Sequence, residues 1–349
     1  MSKKDPSAEK PEAGRLVDPQ VEPEDESLYL RLRPQLLDEF IGKEALKEGL
    51  SISIQAASRR GEPVPHVLLY GPPGLGKTTL ANIVAHSMGV HLFAAPGPVL
   101  ERPGDLVGVL KELKRGDVLF IDEIHRVPRV VEEYLYSAME QFEISVVLDR
   151  GQFARPIPIP VNPFTLVGAT TRAGLLTAPL RQRFGISYHL DFYSEADLAL
   201  IIKRSAGILG VTITDDGAGQ LARRSRGTPR IANRLLQWVR DYSLVRADGR
   251  ITQETVDTAL AMQGIDHVGL DALDRRLLRT IIDFYQGGPV GIEALAATLN
   301  EESDTLVDMV EPFLLKIGFL SRTPSGRKAT EMGYRHFDLQ VPEAQRRLL

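Results

Sequence analysis

The chain contains no cysteine among its 349 residues. Disulfide staples and thiolate zinc sites are thereby excluded. Its seven histidines are scattered without the HExxH spacing of a zinc hydrolase. Aromatic residues make up 6% of the chain, with one tryptophan. No apolar run approaches the ~20 residues that span a bilayer, and the first residues form no apolar signal region, so a cytoplasmic location is expected. Charge of one sign is also lacking, since 42 Lys and Arg against 46 Asp and Glu leave a net charge of −4. Any contact with nucleic acid must therefore come from local clusters or from several subunits together. What remains, 43% hydrophobic content in a chain of this length, is enough for two or three domains.

The most informative stretch present is Gly71-Pro72-Pro73-Gly74-Leu75-Gly76-Lys77-Thr78-Thr79, which fits the phosphate-loop pattern GxxxxGK[ST]. The apolar run Val67–Tyr70 before it reads as a buried strand, and the segment from Thr79 to Ala85 has helical spacing. Glycines such as Gly74 and Gly76 let backbone N–H groups turn inward as an anion nest at the helix N-terminus. Lys77 is placed to reach the β and γ phosphates of ATP, and Thr78 to hold Mg²⁺. Further on, Val118-Leu119-Phe120-Ile121-Asp122-Glu123 is an apolar strand ending in two carboxylates. Asp122 is expected to orient Mg²⁺ and Glu123 to polarise the attacking water. A third strand, Phe164 to Thr171, brings the Thr171 hydroxyl to the same edge. Next, Arg181 and Arg183 flank Gln182 beside the apolar anchor Phe184, where a guanidinium can stabilise a transferring phosphoryl group.

Residues 1–26 are poor in apolar side chains and read as a disordered tail. Strands alternating with helices over 27–193 imply a parallel sheet covered on both faces, an α/β domain. Strand runs are expected at Val67 to Tyr70, Val90 to Ala94, Val118 to Ile121 and Phe164 to Gly168. Over 194–264 the β signal vanishes, and Glu195 to Leu209, Asp215 to Arg224 and Pro229 to Arg246 read as the helices of a small lid domain. Pro229 suits a first helical turn, so Arg230 is expected to project from a helix N-terminus. Over 265–349, helices at Leu273 to Tyr285, Ile292 to Leu299 and Thr305 to Ile317 precede a hairpin turning at Pro324-Ser325-Gly326, the pattern of a winged helix. Arg322, Arg327 and Lys328 flank that turn, so the wing tip is expected to carry positive charge suited to phosphates.

Within the first domain, residues 143–160 read as a second hairpin. Pro156, Pro158 and Pro160 share one parity, so every missing N–H falls on one edge and blocks further strand addition there. Val146, Leu148, Ile157 and Ile159 give the hairpin apolar side chains open to core packing or to a partner.

The ordered set GPPGLGKTT, LFIDEIHR, GATTRAG, PLRQRFG and RGTPRIANR resembles the AAA+ ATPases, and among them the RuvB family of Holliday junction branch-migration motors. The resemblance covers nearly everything after the tail. It implies ATP-dependent movement of duplex DNA at Holliday junctions by a homo-oligomeric ring, a hexamer in the family. It further implies a RuvA-like junction-binding partner docking on the hairpin, with a RuvC-like resolvase as a further partner. Carried onto this chain, Leu32 and Arg33 would line an adenine pocket, and Lys77, Thr78 and Thr79 would bind phosphates and Mg²⁺. Asp122 and Glu123 would be the Walker B pair and Thr171 the first sensor. Arg183 would act as a finger on a neighbouring subunit's ATP, Tyr193 would lie by the nucleotide, and Arg230 would be the second sensor. Arg322 and Arg327 would contact DNA. At Ser303 the family commonly has arginine, which puts a third backbone contact in doubt. Two other readings stay open on the residues alone. One is a clamp-loader-like assembly factor using ATP as a switch; the other is a winged-helix regulator that reads duplex sequence.

Overall fold

The computed structural model describes residues 31–147 and 156–342. The tail expected over 1–26, the hairpin tip with Leu148, and the last seven residues lie outside the described residues.

The first α/β region carries strands β1 (Val67–Tyr70), β2 (Leu92–Pro96), β3 (Val118–Asp122), β4 (Glu143–Val147), β5 (Pro156–Pro160), β6 (Thr165–Thr170) and β7 (Ile186–His189). Five of them form a parallel sheet in the order β2-β3-β6-β1-β7. β1, β3 and β6 are almost wholly buried, as a parallel sheet covered on both faces requires. β7, at the sheet edge, alternates half-buried Ile186 and Tyr188 with exposed Ser187 and His189. Its shortness and polarity hid it in the sequence, and it is a strand that the sequence reading lacked. Helices α1 (Glu44–Arg60) and α2 (Lys77–Met88) cover one face. Helices α3 (Pro103–Glu112), α4 (Arg129–Gln141) and α5 (Ala178–Gln182) cover the other.

Four helices follow: α6 (Glu195–Ile208), α7 (Asp215–Arg224), α8 (Pro229–Arg246) and α9 (Gln253–Met262). Three are started by hydroxyl caps: Ser194, Thr214 and Thr252 accept from the backbone N–H of Asp197, Gly217 and Thr255. The absence of β structure expected here is corrected by a short parallel pair, β8 (Thr212–Ile213) with β9 (Arg250–Ile251). Two residues per strand leave no readable periodicity. Leu198, Ile202, Leu235, Val239 and Leu260 join the same apolar core as Leu69, Leu80 and Val84 of the sheet layer. The helical lid is thereby rooted on the face that carries α2.

The last region folds as α10 (Ala272–Arg279, continued by a wide turn over Thr280–Phe284), α11 (Ile292–Leu299) and α12. The last runs through Ser303–Thr305, Leu306–Val310 and Glu311–Lys316. A hairpin of β10 (Leu320–Thr323) and β11 (Gly326–Ala329) and the short α13 (Glu331–His336) complete it. Its core, with Leu277, Ile281, Leu295, Leu306, Leu314 and Leu320, is separate from the other two. This is the winged helix expected from the sequence.

Candidate active site

The carboxyl ends of β1, β3 and β6 meet at one edge of the sheet, where open α/β folds place their chemistry. β1 runs into the phosphate loop, and α2 begins at Lys77 with Gly76 as its N-cap at φ +97. Gly74 also has positive φ, and a Cβ there would stand 3.0 Å from Cβ of Arg230. Glycine is required at that position because the lid packs directly on the loop; Arg230 N donates to Gly74 O at 3.4 Å. Phe40 closes the other side, its ring 3.0 Å from where a Gly76 Cβ would be.

Lys77 is only 8% exposed, and its Nζ donates to the loop's own carbonyls, Gly71 O and Pro72 O, both at 2.8 Å. Burial pushes its pKa down to about 8, opposed by the charge of Asp122. A buried ammonium resting on two neutral carbonyls, above a nest of inward N–H groups, fits a polyanion. Thr78 and Thr79, half-buried, stand in the first turn of α2. Arg230 starts α8 as expected, is exposed, and has no ion pair among the described residues. Tyr193 is buried, with its O–H directed at Leu75 O at 3.5 Å and its pKa raised by burial. Leu32 is buried and Arg33 exposed.

Asp122 ends β3 and accepts from Glu123 N at 2.9 Å. Glu123 sits in the left-handed region at φ +50, rare for a residue with a side chain. Gly97 opposite permits this turn, because a Cβ there would lie 2.5 Å from Glu123 O. The Glu123 carboxylate pairs with Arg126 at 3.1 Å. Thr171, half-buried, follows the last residue of β6. Mg²⁺ keeps several waters and takes few protein ligands beside phosphate oxygens, and the Thr78 hydroxyl and Asp122 carboxylate are oxygen donors of the kind it takes. Among the described residues no group of three or more His, Cys, Asp or Glu could hold a metal by itself.

Arg183 turns away from this edge. Its Nη1 donates to Pro179 O at 2.8 Å, its guanidinium lies 4.6 Å from the Tyr136 ring centre, and Nε is 3.1 Å from Glu140 without hydrogen-bond geometry. Arg181 is exposed.

At the other hairpin, β4 pairs β5 antiparallel with Val146 opposite Ile157 and Ile144 opposite Ile159, leaving the three prolines on one parity. Ile144 anchors its base in the core, Ile159 is half-buried and Ile157 is exposed. At the wing, Arg322 and Arg327 face each other across β10 and β11, and both reach Glu311, which is fully buried. Lys328 is buried. The wing thus carries less free positive charge than the sequence suggested, because its neutralising carboxylate comes from a helix eleven or more residues away. Ser303, where the family pattern has arginine, donates instead to Glu293 at 2.8 Å.

Sequence reasoning missed three residues at the catalytic edge. Thr170 Oγ1 meets His125 Nδ1 at 2.9 Å and accepts from Arg172 N at 3.0 Å. Burial lowers the pKa of His125, so the neutral ring is favoured. The guanidinium of Arg172 binds Asp304 and Asp308 of α12. His125 and Arg172 stand inside the motifs LFIDEIHR and GATTRAG, so the signal was present, but their partners are distant in sequence.

Three family models match in succession: residues 32–190 the Holliday junction DNA helicase RuvB P-loop domain, 193–266 the RuvB AAA lid domain, and 267–338 the RuvB C-terminal winged helix domain. The Holliday junction branch migration complex subunit RuvB of Ligilactobacillus salivarius is 56% identical over 309 residues, spanning 88% of this chain and 92% of that protein. Among solved structures, the Thermotoga maritima RuvB Holliday junction branch migration motor superposes with a TM-score of 0.82 at 53% identity, over 89% of this chain and 100% of that one. An arginine-to-alanine variant of the Thermotoga maritima protein has a TM-score of 0.82 at 52% identity, covering 89% and 99%.

Proposed function

We propose, for a chain that belongs to the RuvB family of Holliday junction DNA helicases, that the edge built by Lys77, Asp122, Glu123 and Thr171 hydrolyses ATP to move duplex DNA. It is a P-loop ATPase and branch-migration motor. The observation that carries the reading is Lys77: a buried cation whose only hydrogen-bond partners among the described residues are two carbonyls of its own loop, under a lid that adds the unpaired Arg230. On binding, the β and γ phosphates replace those carbonyls. Glu123 takes a proton from the attacking water, and Thr171 orients that water or the γ phosphate. Mg²⁺, held by Thr78 and by Asp122 through water, would neutralise charge building on the phosphoryl oxygens.

Arg183 acts in trans, across a subunit boundary of a ring expected to be hexameric. In support, its contacts are with Tyr136, Pro179 and Glu140 rather than with its own phosphate loop. The hairpin's exposed Ile157, with Ile159, Val146 and Leu148, is offered to a RuvA-like junction-binding protein, and the proline-edged strand keeps that protrusion from pairing with further strands. Arg322 and Arg327 contact the DNA backbone, and the substrate implies a cytoplasmic location.

The Glu123→Gln variant is expected to bind ATP and assemble while its turnover falls by at least ~100-fold. Normal turnover by that variant would remove the central assignment. For action in trans, Arg183→Ala and Lys77→Ala subunits are mixed. Recovery of ATPase activity supports shared sites, and its absence in proven mixed assemblies contradicts them.

A further inference from the structure

We infer that Asp304 and Asp308 of the winged-helix region are positioning residues for ATP hydrolysis, acting through Arg172 on the end of β6. The inference rests on the reading of that strand end, with Thr171, as the part of the site that senses the γ phosphate.

Arg172 is the residue directly after Thr171. Its Nε and Nη2 donate to the two oxygens of Asp308 at 3.0 and 2.7 Å, a two-point fork, and Nη2 also donates to Asp304 at 2.8 Å. Among the described residues, the side-chain hydrogen bonds of Arg172 therefore go to α12 and none to the domain that carries it. Its backbone N–H goes inward instead, to Thr170 Oγ1, which also meets the His125 ring. His125 stands in the turn that opens at Glu123, where Arg126 N donates to Glu123 O at 2.8 Å. One unbroken series of contacts thus runs from the winged-helix region through Asp308, Arg172, Thr170 and His125 to the turn of the candidate general base. The hydrogen bonds to Asp308 and Asp304 hold Arg172 still more firmly cationic, and the bond to Arg172 lowers the Asp304 carboxyl below its usual range.

The pair is not needed to keep the winged helix attached. Arg226 of the lid binds Asp271 and Asp274 and donates to Met309 O, with its guanidinium 4.9 Å from the Phe313 ring centre. Lys316 stands 4.6 Å from the Phe192 ring centre. Loss of the Arg172 pair therefore leaves the domain in place and frees only the loop that bears Thr171. A small misplacement of a group that must meet the γ phosphate lowers the rate of the chemical step while leaving ground-state binding of ATP intact. Because the anchor lies on α12 of the winged-helix region, any shift of that helix is felt at the strand end.

The test is steady-state ATPase kinetics on full-length Arg172→Ala, Asp308→Ala, the double variant and Asp308→Glu, beside the wild type. Each alanine variant is expected to lose about tenfold in kcat with KM for ATP within about twofold, and the double variant to be no slower than the worse single one. Asp308→Glu, which keeps the carboxylate, is expected to recover most of the lost rate, and the melting midpoints to stay near that of the wild type. Unchanged or raised kcat, additive losses, or a fall in melting midpoint that accompanies a raised KM would overturn the positioning role. A wild-type chain without ATPase activity would count instead against the reading of the site on which this rests.

Discussion

The phosphate loop and the wing both read in sequence as cations beside a glycine turn, yet the fold treats their charges in opposite ways. Lys77 is buried on neutral carbonyls, and Arg230, packed against Gly74, has no ion pair among the described residues. Arg322 and Arg327 share the buried carboxylate of Glu311. A buried cation whose hydrogen bonds go to neutral carbonyls favours the arrival of an anion. A cation already paired offers its remaining N–H groups and a fixed direction, with much of its charge cancelled. On the proposed reading, the phosphate loop suits strong binding of one compact polyanion, and the wing weak, oriented contact with a polymer.

The most direct break of this contrast is at Lys77. Lys77→Ala is expected to weaken ATP binding by about 2–5 kcal/mol, at least roughly thirtyfold in Kd, measured by nucleotide titration. Affinity near that of the wild type would mean that the buried ammonium is not the anchor. The comparable change at the wing, Glu311→Ala, strips the shared partner from two arginines. It is expected to destabilise the winged helix by about 3–5 kcal/mol, read from the midpoint of that domain's unfolding transition.

A smaller and sharper test uses pH. In the free protein burial holds the Lys77 pKa at about 8, below its ordinary 10.5. ATP binds the protonated form, so above pH 8 binding takes up a proton and Kd should weaken by up to about tenfold per pH unit. The sign for the ligand-free fold is the reverse. Because the unfolded chain holds more protons above pH 8, this group makes stability rise with pH up to the unfolded value. The smallest effect belongs to the wing: Arg322→Ala should reduce the salt dependence of duplex binding by less than the ~0.9 in logarithmic slope of an unpaired cation, without changing sequence preference. A larger slope change would mean that Glu311 neutralises less than the geometry indicates.

Most of the fold, and the placement of the candidate site residues on it, was legible because it depends on local chemistry. Glycines that permit a turn, an apolar strand ending in carboxylates, and Pro229 opening a helix each act within a few residues. α7 and α8 begin and end where the sequence placed them. What escaped the sequence depends on partners far along the chain. β7 is recognisable only beside β1, and β8 only beside β9. Arg172 reads as a surface arginine until Asp304 and Asp308 are brought to it, and the wing's charge reads as free until Glu311 is placed under it. A helix over Thr305 to Ile317 was legible, but not the burial of Glu311 or the two guanidinium groups that it serves.

The central claim, that this edge turns ATP hydrolysis into movement of DNA, is tested most directly by branch migration of a synthetic four-way junction. The measurement is made with wild type and with Glu123→Gln, with and without a RuvA-like junction-binding protein. The account predicts separation of the junction arms by the wild type that requires ATP and is promoted by the partner, and none by Glu123→Gln. Failure of the wild type to separate the arms, while it hydrolyses ATP beside a competent partner, would contradict it.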